Sequence, residues 1–219
     1  MKFPAATLCF LMLAAPVGAE SFSVSLGGKA LGQIKFAETG RKTILTSTLD
    51  NTPLGVFNGN YTGTSIGNTA TSRFTGESRS SRKNRVVTVE IAKARAVGTA
   101  ITPQDELTAL SDINKVPAGV MDPVRAMAQL FRAKGCPAPI QMYDGRRVVA
   151  MRSDRGTQAG ETLTCAVSYK VIAGPGHLSP LGISSAKIEL IYRTAGGKQT
   201  LQHLKISSGL FNVRLSREK

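Results

Sequence analysis

The side chains best equipped for chemistry in this 219-residue chain are basic, and they fall in two groups. The first is Arg79-Ser80-Ser81-Arg82-Lys83-Asn84-Arg85, which places Arg79, Arg82, Lys83 and Arg85 within seven positions with no acid between them. Guanidinium and ammonium groups at this density can grip phosphate or carboxylate oxygens through charge-assisted hydrogen bonds. The same composition suits a solvated hairpin tip equally well. The second group is Asp144-Gly145-Arg146-Arg147. Here Arg146 and Arg147 could meet an anion, but pairing with Asp144 to fix a turn is the preferred reading, because Asp-Gly is a strong hairpin signal. These seven cationic and acidic residues are the candidate binding residues. No aromatic side chains interleave the basic cluster, so a nucleic-acid role gains no support from base stacking.

Other chemistry finds little footing. Nucleophilic catalysis needs a nucleophile, a base and an orienting group within reach. His177 lies in the loop Gly174-Pro175-Gly176-His177, and His203 shares a strand face with Lys205, so both read as exposed rather than poised. There is no G-x-S-x-G elbow. Asp105-Glu106 and Asp112 read as a solvated helix start, and Gly27-Gly28-Lys29 and Gly196-Gly197-Lys198 read as turns, lacking the spacing of a phosphate loop. A structural zinc site would need about four Cys, His or carboxylate ligands, which the two histidines in unrelated contexts do not supply. No catalytic residue, metal or cofactor is expected.

The elements that must position these residues are mostly strands. Short runs of alternating apolar residues, interrupted by Gly, Pro, Asn and Asp, predict an all-β domain. Phe22, Val24 and Leu26 alternate with Ser21, Ser23 and Ser25. Further strands are expected over 31–36, 43–49, 74–79 and 85–93. After Pro137 come 140–143 and 146–152 around the Asp144-Gly145 turn, then 163–171, 188–193, 200–206 and 210–215. Asp122 as a cap, Pro123 at the first helical position and Val124, Met127, Leu130 and Phe131 at helical spacing predict one central helix over about 122–134, closed by Gly135. A shorter helix is expected from Thr102-Pro103 through Leu110. Loops are expected over 50–68 and 173–182. The predicted fold is mainly β: a single antiparallel, strongly curved sheet or open barrel with the helix packed on it.

Met1-Lys2, the apolar stretch from Ala5 to Ala15 and Val17-Gly18-Ala19 together have the order of a secretory signal peptide, cleaved after Ala19. Residues 20–219 are then a single domain in the periplasm. Cys9 departs with the leader, and the remaining pair in an exported chain, Cys136 and Cys165, is expected to form a disulfide. The net charge of +14 is strongly basic and suggests polyanionic neighbours. Outside the cytoplasm these would be anionic lipid, lipopolysaccharide or acidic glycan. No membrane-spanning run follows the leader.

Several of these segments together resemble the exported bacterial proteins of domain-of-unknown-function family 3108. The resemblance rests on Pro53-Leu54-Gly55-Val56-Phe57-Asn58-Gly59, on Asp122-Pro123, and on Cys136, Tyr143-Asp144-Gly145-Arg146-Arg147 and Cys165. With the strand order it spans nearly all of the chain after the leader. Many members continue the double arginine with a third basic residue, a Tyr and an Asp, where this chain has Val148-Val149-Ala150. The resemblance implies an envelope location and a mostly antiparallel β fold, and no reaction. The expected function is non-catalytic binding or assembly around an amphipathic or anionic envelope ligand; the alternative is a hydrolase or transferase acting on envelope polymers.

Overall fold

A computed structural model describes residues 19–50, 52, 58–68, 70–80, 83–177, 182–209 and 211–218. The expected leader, apart from Ala19, lies outside the described residues, as do Arg82 and the stretch 53–57 of the family motif.

Alternation decides which face of each strand turns inward. In β1 (Glu20–Leu26), Phe22 and Val24 are buried while Ser23 is exposed. β2 (Lys29–Thr39), β3 (Lys42–Leu49), β4 (Gly59–Gly67), β5 (Thr71–Arg79), β6 (Asn84–Ala92) and β7 (Arg95–Thr102) follow as a meander, each antiparallel to the one before. Helix α1 (Pro123–Phe131) leads to a second series: β8 (Ile140–Tyr143), β9 (Val148–Ser153), the short β10 (Thr157–Ala159), β11 (Thr162–Ala173), β12 (Ser185–Ala195), β13 (Lys198–Ser208) and β14 (Phe211–Arg217). The two series join where β1 pairs with β14, from Phe22–Arg217 to Leu26–Val213. One nearly closed antiparallel sheet of 14 strands results. Many outward positions are polar, with Ser23, Lys35, Arg73 and Lys187 exposed, while Ile66, Val86 and Val97 are exposed apolar ones. Among the described residues no helix is long and apolar enough to cross a membrane.

The edge strands β7 and β8 meet at a seam that is bridged without a continuous ladder. Val120 N–H donates to Ala94 O at the β6–β7 turn (3.1 Å), and Met121 N–H donates to Gln141 O of β8 (2.9 Å). The Tyr143 hydroxyl reaches Thr99 Oγ1 of β7 at 3.0 Å.

Helix α1 lies in the concave face. Asp122 caps it, with Oδ1 accepting from the Arg125 N–H at 3.0 Å, and Pro123 occupies the first turn, where no N–H is needed. The other carboxylate oxygen accepts from Ser65 of β4 (2.8 Å) and Ser72 of β5 (2.7 Å). At the far end Phe131 stacks on Phe22 of β1 with ring centres 5.1 Å apart and meets Phe36 of β2 edge-on at 4.9 Å. The Tyr192 hydroxyl of β12 donates to Leu130 O at 2.6 Å. A helix can touch β1, β2, β4, β5 and β12 together only from inside the curve, so α1 lies in the lumen.

The sequence reading differs from this fold in several places, among them the unexpected β10 and a helix that ends at Phe131 instead of near 134. β4 falls within the expected loop, because its inward positions are small: a Cβ on Gly63 would lie 2.8 Å from Val124 Cγ2 of the helix. β7 was not expected. Residues 104–115 form three separate 3-10 turns where a short helix was expected. The β8–β9 connection is a four-residue loop, 144–147, where Asp144-Gly145 alone was expected, since Tyr143 pairs with Val148.

Cys136 and Cys165 are joined by a disulfide, with Cα atoms 5.6 Å apart, linking the chain just after α1 to β11. With a sequence separation of 29, closing this loop is worth about 3–4 kcal/mol if unfolded-chain entropy dominates. Replacing both cysteines by Ser should lower the unfolding free energy by about that amount with the strand content kept; equal urea midpoints for the two proteins would contradict the assignment.

Candidate functional site

The antiparallel register gives the barrel two ends. The β5–β6 turn, the segment after β7 and the β8–β9 hairpin lie at one, here the hairpin end. The start of β1, the end of β14, the β12–β13 turn and the C-terminus of α1 lie at the other, the helix end.

At the hairpin end the two basic groups converge on an acid that the sequence reading assigned to solvent. Glu106 is only 5% exposed. Its carboxylate pairs with Lys83, with Arg85 at 2.5 Å and with Arg146 at 3.1 Å, while Lys83 also stands 3.8 Å from Asp105. The Arg146 Nε–H donates to the Glu106 carbonyl at 2.8 Å. Burial lowers the Arg85 pKa, and the neighbouring Arg146 and Arg147 charges lower it further. Arg79 stands apart, exposed and 3.7 Å from Glu77.

The hairpin is held from several sides. Asp144 Oδ1 accepts from the N–H groups of Arg146 and Arg147, each at 2.9 Å, and Oδ2 lies 3.1 Å from Arg147 Nε. Thr108 donates to Arg146 O at 2.8 Å and Ser111 to Gly145 O at 3.1 Å. Gly145 has φ +89°, and a Cβ there would stand 2.6 Å from Val87 Cγ1, so only glycine fits this approach to the sheet. Tyr143, fully buried, donates to Leu110 O at 2.5 Å.

His177 is half-buried and tied down. It exchanges backbone hydrogen bonds with Ile183 at 2.7 and 2.8 Å, and Nε2 lies 2.5 Å from the Tyr169 hydroxyl. Burial, reinforced by Arg147, pushes its pKa down to about 4, against the opposing charge of Asp144. Burial pushes the Tyr169 phenol up, so at neutral pH a protonated hydroxyl meets a neutral imidazole. His203 sits on β13 with Nδ1 3.1 Å from Ser216 Oγ, its pKa lowered by burial and then by Arg214 and Lys205.

The helix end carries a cleft of about 610 Å³ that no sequence motif announces. Phe131, almost fully buried, lies at its floor with Ala133, and Glu20, Arg132, Lys134, Lys198 and Arg217 line the rest. Arg217 pairs with Glu20 at 2.5 Å and lies over the Phe22 ring at 5.3 Å; Arg132 pairs with Glu38 and lies over Phe36 at 5.6 Å. Among the described residues no carboxylate pairs with Lys134 or Lys198. The Gln199 side chain bonds the N–H and C=O of Gly135 at 2.9 and 3.0 Å, fixing the chain beyond the helix against β13. Residues so distant in sequence meet here because β1 pairs with β14 and α1 points its C-terminus at that junction.

Among the described residues no three His, Cys, Asp or Glu side chains gather to hold a metal ion. No protein-family model matches the chain, and a search of curated proteins found no match.

Removing the Glu106 charge leaves its cations facing one another. Glu106→Gln should cost about 3 kcal/mol or more of stability, measured by urea unfolding; a change under about 0.5 kcal/mol would show that the cluster is solvent-screened. His177 gives a second test. Its folded pKa lies below the unfolded value, so the unfolded chain binds more protons between about pH 6.5 and pH 4. The stability due to the neutral imidazole is complete above that window and is lost as pH falls through it. His177→Gln should flatten the acid side of the stability curve relative to the wild type; parallel curves would refute the assignment.

Proposed function

We propose that the protein is exported to the cell envelope and there binds, without chemical turnover, an anionic ligand with an apolar part, seated in the helix-end cleft. The observation that carries this reading is the cleft itself: Arg132, Arg217, Lys134 and Lys198, the two lysines without carboxylate partners among the described residues, over a floor that reaches Ala133 and Phe131. Its volume of about 610 Å³ lies in the range of ligand sites. The hairpin-end cations suit an external partner less well, because Lys83, Arg85 and Arg146 are occupied by Glu106. The net charge of +14 favours anionic encounter partners through long-range attraction. Export and a periplasmic location are supported by the leader-like order of residues 1–19 and by the resemblance to family 3108. Anionic lipid is the ligand class that best matches an apolar floor with a cationic rim; lipopolysaccharide and acidic glycans share the charge.

A short-chain phosphatidylglycerol, compared with the matching phosphatidylcholine, tests the site. Binding should favour the anionic lipid at about 0.1 M salt and weaken toward 1 M as the screening length falls to roughly 3 Å. Changing Lys134 and Lys198 together to Ser should weaken it by roughly tenfold while leaving the unfolding midpoint in place. Equal binding of both lipids, or binding indifferent to the two lysines, would overturn the assignment of the cleft. Hydrolysis of an envelope polymer would favour the enzyme reading.

A further inference from the structure

Arg147 is the one basic side chain among the described residues that is buried, at 5% exposure. Asp144 Oδ2 lies 3.1 Å from its Nε, yet neither Nε nor Nη1, both shielded from solvent, has an aligned acceptor. In the Glu106 cluster, Arg85 Nε and Glu106 Oε2 are both buried without a hydrogen bond, a donor and an acceptor that offset one another, so the surplus lies at Arg147. A guanidinium presents five N–H donors and no acceptor, and buried donors in folded proteins are almost always satisfied. Charge indicates what satisfies them. Lys83, Arg85, Arg146 and Arg147 face Glu106, Asp144 and the surface carboxylate Asp105, leaving positive charge over. A water molecule would supply acceptor lone pairs and leave that excess; an anion supplies both.

Glu106 and Asp144 flank the cluster and limit what fits. Their charge disfavours any anion that does not sit directly on the guanidinium donors.

We propose that the hairpin end is a binding site for a small inorganic anion, held by the Nη1 donors of Arg147, which no acceptor meets. The site is separate from the helix-end cleft and independent of what that cleft binds. Occupancy satisfies a buried donor of the β8–β9 hairpin and so stabilises the folded protein over the unfolded chain.

The test uses the disulfide-bonded protein with Lys134 and Lys198 changed to Ser, so that the cleft does not contribute. Thermal unfolding is followed at fixed ionic strength in gluconate, chloride, bromide, sulfate and phosphate. At least one small anion should raise the midpoint saturably over gluconate, by roughly 5 °C at a hundredfold excess over its Kd. Arg147→Met, which keeps the bulk and removes the donors, should abolish that shift. In bromide-grown crystals an anomalous peak should lie within hydrogen-bond distance of Arg147 Nη1. Identical midpoints in all five anions, a shift that survives Arg147→Met, or a water without anomalous signal at that position would each overturn the proposal. Should Arg147→Met fail to fold, the bromide peak in the parent protein decides.

Discussion

Asp122 has no contact with solvent, and much of the molecule follows from how its two oxygens are used. One oxygen ends the helix by accepting from Arg125 N–H; the other receives hydroxyls from two neighbouring strands. A buried carboxylate is tolerated only when its lone pairs are filled. Ser65 and Ser72 therefore have to stand inside the curve, and the helix has to start between them. With that end fixed, the helix carries Phe131 to the Phe22–Phe36 pair, and its apolar side chains pack on the concave face of the sheet. The helix-end cleft exists because α1 stops at Phe131, short of the β12–β13 turn.

The opposite end uses a second buried acid for a different purpose. Glu106 gathers cations from the β5–β6 turn and from the hairpin, which are distant in sequence and adjacent in the barrel. Polar pairing here takes the place of the backbone ladder that β7 and β8 do not form with each other. The side chains that a basic sequence offers for external contacts are thus largely structural at this end. At the helix end, among the described residues, Glu20 and Glu38 pair with Arg217 and Arg132, and no carboxylate pairs with Lys134 or Lys198.

The alternation of large apolar residues made most strands legible, and Asp122-Pro123 made the helix legible, because these features depend on neighbours in sequence. β4 was hidden because Gly63 and Ser65 are adapted to the helix against them, and small inward residues read as loop chemistry. Glu106 was hidden for the same kind of reason: its burial depends on Lys83, Arg85 and Arg146, none of which is near it in the chain. The seven candidate residues were recognisable as charged, but which of them would be neutralised depended on the closure of the sheet. The cleft left no trace in the sequence, since its walls come from residues 20, 131–134, 198 and 217.

The centre of the sheet is made from the two ends of the described chain, with Glu20 and Arg217, 197 residues apart, side by side. Each meander can assemble from local hairpins, but β1 has no partner on its β14 side until the last strand exists. Contacts of such long range slow folding, because the loop entropy is lost before the contact is made. During synthesis, which delivers β1 first, its unpaired edge is open to foreign strands for the whole time the rest is being made. The most protected line in the finished barrel is therefore the most vulnerable line in the growing chain, and a brief delay in the arrival of β14 is where misassembly has its opening.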